Sequence, residues 1–161
     1  MGFGYAFVCK ECKETFFAFS GYGMNFPAYY QEVVQEIQSG TYGDEWKDTL
    51  CSRPTIAVDA ECYIYKCPKC GHWEVAPSLS LYVPKTEGIV GVNDNEFVSP
   101  DSLKQYYRCI RRYNHKCPEC GRRMKKAATE QEASTLPCPK CGADCHGEPV
   151  LWDKKWLAPT C

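Results

Sequence analysis

The sequence predicts a small α+β protein stabilised by metal, with two sets of short antiparallel strands around four-cysteine sites and a helical insertion in the first set. Three observations lead there. Val, Ile and Leu together number 22 of 161 residues, no more than the aromatics, which is too few for a large aliphatic core. Cysteine, at 13 residues, fills the deficit. Apolar residues alternate over short runs along most of the chain and take a helical period over any length in one place.

The first element is a knuckle, Cys9-Lys10-Glu11-Cys12, and the pattern returns at Cys67-Pro68-Lys69-Cys70, Cys117-Pro118-Glu119-Cys120 and Cys138-Pro139-Lys140-Cys141. Two residues between cysteines let the chain turn tightly enough to aim both thiolates at one metal ion, near 2.3 Å for zinc. Gly71, Gly121 and Gly142 follow three of the pairs and can take a positive φ, which turns backbone N–H groups back toward the sulfurs. The first pair departs from this, with Lys13 in that place and no proline inside. A dithiol redox centre is the competing reading. It requires a helix starting at the first cysteine, which the glycines discourage.

After Cys12 the aromatic run through Ser20 predicts a strand, ended by Gly21-Tyr22-Gly23. Pro27 opens a helix that Gly40 closes, with Tyr30, Val33, Val34 and Ile37 on one face. A short helix fits Asp44 to Leu50. Alternation predicts strands over Ile56–Tyr65 and His72–Val83, and the Gly- and Asn-bearing stretch Thr86–Ser99 predicts a long loop. Pro100-Asp101-Ser102 begins another short helix. Strands are expected over Tyr107–Tyr113 and Arg122–Ala127, a polar loop or single helical turn over Ala128–Thr135, and a last strand over Pro149–Trp152 before a tail holding Trp156.

Spacing suggests how the knuckles pair. The 17 residues between Cys120 and Cys138 match the usual distance between the two halves of one tetrathiolate site, so Cys117, Cys120, Cys138 and Cys141 are expected together. Elimination leaves Cys9, Cys12, Cys67 and Cys70 as the other site, with an interleaved cross-brace as the alternative. The corresponding units are residues 1–85, with inserted helices at about 26–52, a linker over 86–100, and residues 101–161. Cys51, Cys62, Cys109, Cys145 and Cys161 are irregularly spaced and read as buried hydrophobes or exposed thiols, though Cys145 or His146 could replace a ligand. His72 and His115 sit beside knuckles and are expected to support ligands or face solvent.

These knuckles resemble the zinc-ribbon superfamily, and more loosely the small bacterial proteins that carry two such ribbons. The resemblance covers the four knuckles and their flanking strands, about a third of the chain. It implies two Zn2+ per chain with the eight knuckle cysteines as ligands, and does not specify an activity, because zinc ribbons occur in transcription factors, polymerase subunits, ribosomal proteins and adaptors. Rubredoxin uses two similar knuckles to hold iron, which keeps an electron-transfer reading open.

Residues 1–100 carry 7 basic and 13 acidic side chains, and residues 101–161 carry 12 and 7. The positive charge concentrates in Lys104, Arg108, Arg111, Arg112, Lys116, Arg122, Arg123, Lys125 and Lys126, with Tyr106, Tyr107 and Tyr113 among them. Cations for phosphates and rings for bases suit a single-stranded nucleic acid. Equally, four thiolates on one Zn2+ leave a double negative charge that nearby cations can offset.

The opening residues have no basic stretch followed by an apolar run, and no stretch approaches 18 apolar residues, so neither a secretory leader nor a membrane span is expected. The expected location is the reducing cytoplasm, where regularly spaced cysteines bind metal. Both sites are closed by four cysteines, whereas catalytic zinc keeps an open position, and no phosphate loop, zinc-protease or serine-hydrolase motif occurs. The sequence therefore predicts a non-enzymatic adaptor with structural zinc, binding a protein or single-stranded nucleic acid and no small-molecule substrate.

Overall fold

The computed structural model describes residues 2–22, 26–86 and 95–151. Trp152, Trp156 and Cys161 lie outside the described residues, as does most of the expected 86–100 linker. The protein is a small mixed α and β chain with antiparallel sheets, and its contacts gather into two units.

The first unit comprises residues 1–23, 62–76 and 114–161. Its larger sheet has the order β2-β1-β10-β9, built from β1 (Phe3–Val8), β2 (Thr15–Ser20), β9 (Thr135–Pro137) and β10 (Asp144–Leu151). Strand β1 is the central organiser. It pairs with β2 from Phe3↔Ser20 to Val8↔Thr15, and with β10 from Phe3↔Leu151 to Phe7↔Gly147. Alternation puts Tyr5, Phe7, Phe16 and Ala18 on the buried face, where the Phe7 and Phe16 rings stack 4.7 Å apart. Gly147 sits beneath Phe7: a Cβ there would come within 2.7 Å of the ring. The second sheet, β5-β4-β8, comes from β4 (Cys62–Lys66), β5 (Trp73–Pro77) and β8 (Lys125–Lys126). Ile64, Trp73 and Val75 from this sheet pack into the same core as Phe7 and Leu136, and Trp73 Nε1 donates to Pro137 O at 2.8 Å.

The second unit, residues 24–61 and 77–113, contains α1 (Phe26–Ser39), α2 (Asp44–Cys51), β3 (Ala57–Asp59), β6 (Ser80–Pro84), α3 (Pro100–Tyr106) and β7 (Tyr107–Arg111). As predicted, α1 buries Tyr30, Val33, Val34 and Ile37. Tyr30 is fully buried, and its hydroxyl accepts from Val58 N at 3.1 Å. Helix α3 starts on Ser99, whose Oγ accepts from Ser102 N, with Pro100 in the first turn.

Several expectations change. The strands expected over 56–65 and 72–83 each break in two, at Ala60-Glu61 and Ser78-Leu79, close to where the chain passes from one unit to the other, after Glu61 and after Ala76. The 1–85, 86–100 and 101–161 division does not match the contacts. Residues 95–100 belong to the second unit: Asn95, Val98 and Pro100 are buried, and the Phe97 ring, though exposed, meets Phe26 at 5.5 Å and Tyr30 at 5.6 Å. Strand β10 begins five residues earlier than the expected last strand, and β1 was not anticipated at all.

Candidate metal centres

All four knuckles share one backbone design. The N–H of the first cysteine donates to the carbonyl five residues on: Cys9 to Glu14, Cys67 to His72, Cys117 to Arg122 and Cys138 to Ala143, at 2.7–2.8 Å. The N–H four residues on donates back to the first cysteine's carbonyl, from Lys13, Gly71, Gly121 and Gly142. Those four residues have φ of 60°, 76°, 67° and 76°. Three are glycines, as the turn requires, and Lys13 holds the same left-handed geometry at a steric cost.

The eight cysteines come together in two groups of four, each with all sulfurs within 4.8 Å of one another. The grouping differs from the expected one. Cys9 and Cys12 join Cys138 and Cys141, and Cys67 and Cys70 join Cys117 and Cys120. The first knuckle pairs with the last and the second with the third, so the sites are nested rather than adjacent or interleaved. Strand pairing is the reason. Strand β1 runs into the first knuckle and β10 follows the fourth, and they are neighbours in one sheet. Strand β4 runs into the second and β8 follows the third, joined by Tyr65↔Lys126 and Lys66↔Lys125. Long-range strand partners outrank the 17-residue spacing.

Within the outer centre Cys9 Sγ and Cys141 Sγ are 3.5 Å apart, and Cys12 Sγ and Cys138 Sγ 3.6 Å; the inner centre has 3.5 Å for both Cys67–Cys120 and Cys70–Cys117. A tetrahedron of sulfurs about 2.3 Å from a central zinc has edges of roughly 3.8 Å, so these four distances lie within a few tenths of an ångström of a tetrathiolate's edge. A disulfide, at about 2.05 Å, is excluded by the same distances. The donor set thus fits a metal ion at each centre.

Backbone amides already favour thiolate there. The Cys12 N–H, followed by that of Glu11, holds Cys9 at about 6 against the effect of burial, and the Cys70 and Lys69 N–H groups do the same for Cys67. Cys70 receives the His72 N–H, which lowers it, yet burial and the sulfurs of Cys117, Cys67 and Cys120 push it up to about 12. Cys141 is likewise lowered by the Ala143 N–H and carried up to about 12 by Cys9, Cys12, burial and Cys138. Each metal-free centre therefore combines a ready thiolate with at least one thiol that loses its proton when a cation enters.

None of the histidines joins either group of four. His115 is buried with its ring 3.9 Å from that of Tyr65, and its carbonyl accepts from Met124 N. His72 contributes its carbonyl to the second knuckle, and His146 Nδ1 meets Thr135 Oγ1 at 3.2 Å. Cys145 also stays outside the four, but it is buried against Cys9 and Cys138 in the core of the outer centre. Cys51 is exposed, Cys62 buried and Cys109 intermediate.

The basic residues divide between the units. Lys104, Arg108, Arg111 and Arg112 belong to the second, and Lys116, Arg122, Arg123, Lys125 and Lys126 to the first. Arg111 is paired with Glu45 and its side chain stays partly exposed, whereas Tyr107 is buried against Ala57, Val98 and Leu103, which takes its ring out of the expected stacking surface. Tyr113 packs edge-on against Tyr42 and Trp46, while Tyr106 is exposed. Lys126 lies over the Tyr63 ring.

No helix among the described residues is long and apolar enough to cross a membrane. No family model, curated protein or solved structure matches the chain.

Proposed function

We propose that the chain is a non-enzymatic zinc protein, with two structural ions binding its first unit into a double zinc ribbon, and that it serves as an adaptor whose inner ribbon recognises single-stranded nucleic acid. The observation that carries the structural reading is the closure of both centres by four cysteines, which leaves no open position for a substrate or a reactive water. Iron in the same cages would instead make the protein an electron carrier. Elemental analysis of purified protein decides: two zinc ions and no colour are expected, and stoichiometric iron with a red chromophore overturns the zinc reading.

Charge placement supports the recognition partner. Over residues 62–76 and 114–127, the strands and knuckles of the inner centre, seven cationic side chains stand against Glu74 and Glu119. Lys66 faces Lys125 across β4 and β8, and Lys116 faces Arg123 across an isolated bridge. Like charges placed opposite each other across strands repel. A polyanion relieves that repulsion, and a single strand also offers bases to nearby rings. Binding to single-stranded DNA or RNA is expected to weaken linearly on a log–log salt plot, with Lys125→Ala lowering the slope by about 0.7, the value for one phosphate contact. Absence of binding at low salt, or binding indifferent to salt, refutes the nucleic-acid partner and leaves a protein partner.

A further inference from the structure

The outer centre contains a fifth sulfur. Strands β1 and β10 keep one register without interruption from Phe3↔Leu151 to Phe7↔Gly147. The pairing ends there, and extending the same register by two residues, past the end of β1 at Val8, would set Cys9 against Cys145. Both are buried, at 0% and 4% exposure, in a single cluster with Cys138. Cys145 Sγ donates to Ala143 O at 3.4 Å, and burial together with the sulfur of Cys9 raises its pKa. Directly opposed residues of antiparallel strands have Cα atoms about 4.5–5.5 Å apart. That lies inside the range of roughly 4.4–6.8 Å that a disulfide bridges without moving the backbone. The cluster around the inner centre includes no cysteine beyond its own ligands among the described residues.

We propose that Cys145 is the resolving thiol of the outer centre, forming a disulfide with its ligand Cys9 when a peroxide oxidises the site and thereby releasing the outer metal alone. The proposal rests on the outer four cysteines holding a metal ion. Cys141, exposed and 3.5 Å from Cys9, leaves the centre open to an oxidant as small as hydrogen peroxide. The Cys9 thiolate attacks one peroxide oxygen, an S–O bond forms as the O–O bond breaks, and hydroxide leaves. The Cys145 sulfur then attacks Cys9 Sγ, forming S–S as S–O breaks, and the departing hydroxide takes the Cys145 proton as water. Two sulfurs are oxidised by two electrons in total, and the peroxide is reduced to water and hydroxide. With Cys9 tied in a disulfide only three ligands remain, and the closed site is lost.

The test is metal release from the full chain, after its metal content has been measured, under a modest excess of hydrogen peroxide. A chromophoric chelator follows the metal, and peptide mapping locates disulfides. Release of one of two ions, with Cys9 linked to Cys145, is expected, followed by recovery of both ions after thiol reduction and metal addition. Cys145→Ser and Cys145→Ala should bind two ions and release the outer one several-fold more slowly. Release from either variant at the unsubstituted rate, or a disulfide that omits Cys145, overturns the proposal. If a variant does not load two ions, mapping of the unsubstituted chain decides by itself. A chain that never holds metal at the outer centre refutes the metal reading instead, and the same mapping still tells whether Cys9 and Cys145 join.

Discussion

Substituting the residue that closes each knuckle should change metal affinity by an amount the backbone sets alone. A Cβ built on Gly71, Gly121 or Gly142 meets nothing within 4 Å, so Gly121→Ala introduces no clash. What remains is the φ of 67°, where an L side chain presses on the following carbonyl at a cost of roughly 1–2 kcal/mol. The knuckle forms as its cysteines ligate, so this energy appears as weaker binding, and at about 1.4 kcal/mol per tenfold the inner centre should lose between five- and thirtyfold in affinity. Lys13 stands at the equivalent place of the first knuckle with φ 60°, and its Nζ recovers little through an exposed bond to Lys10 O. Lys13→Gly should tighten the outer centre by up to about 1 kcal/mol, since glycine removes the steric term and adds some unfolded-state entropy. Competition against a chromophoric chelator, centre by centre, measures both. An unchanged inner affinity in Gly121→Ala, or a weakened outer one in Lys13→Gly, would show that the left-handed turn is not what shapes these sites.

Other substitutions probe the nesting and the core. Cys9→Ser and Cys138→Ser should empty the same centre and spare the other, whereas Cys117→Ser should affect the centre of Cys67; cobalt spectra of the three variants distinguish this from pairing by neighbouring knuckles. Gly147→Ala drives a methyl into Phe7 and Tyr5 and should destabilise the first unit by about 1–3 kcal/mol in denaturant melts; a melt equal to the parent would contradict the close approach. Acid should weaken metal binding and metal-free stability in a defined window. Cys9 and Cys67 have folded pKa values of about 6, below the ordinary 9.0, so their thiolate contribution is complete above about 9 and disappears as pH falls through about 6. Metal titrations at stepped pH should show affinity falling with acid and protons released on binding, and a flat profile between pH 9 and 6 would refute it.

The features read most directly from the sequence depend on near neighbours. Helix α1 follows from Pro27, Gly40 and a 3.6-residue apolar period, and each knuckle follows from two cysteines and the residue after them. The pairing of the centres does not, because it joins partners about fifty residues apart at the inner centre and more than a hundred apart at the outer one. Cys12 and Cys138 are 126 positions apart, and no local pattern registers β1 against β10. The signal was present in Phe3–Val8, a run with Tyr5 and Phe7 on one face that reads as a strand as readily as Thr15–Ser20 does. The boundaries failed for a related reason. Ala60-Glu61 and Ser78-Leu79 look like continuations of apolar alternation, but they lie beside the points, after Glu61 and after Ala76, where the chain leaves one unit for the other, and Leu79 has a φ of 58°. Of the basic residues, sequence alone could not separate Arg111, engaged with Glu45, from the cations opposed across β4 and β8.

Nesting also orders assembly in time. As the chain leaves the ribosome, Cys67 and Cys70 can capture an ion once Cys120 has emerged, joining positions 47 apart at their nearest. Cys9 and Cys12, made first, must wait for Cys138 and Cys141. Closing the inner loop removes its length from the span the outer pair must bridge, which lowers the entropy of that second closure. Of the four knuckles, the first to be made would therefore be the last to close around an ion. Among the knuckle cysteines Cys9 and Cys12 spend the longest as free sulfur, and if both groups of four hold a metal ion, a shortage of that metal would accumulate chains folded at the inner centre and open at the outer one.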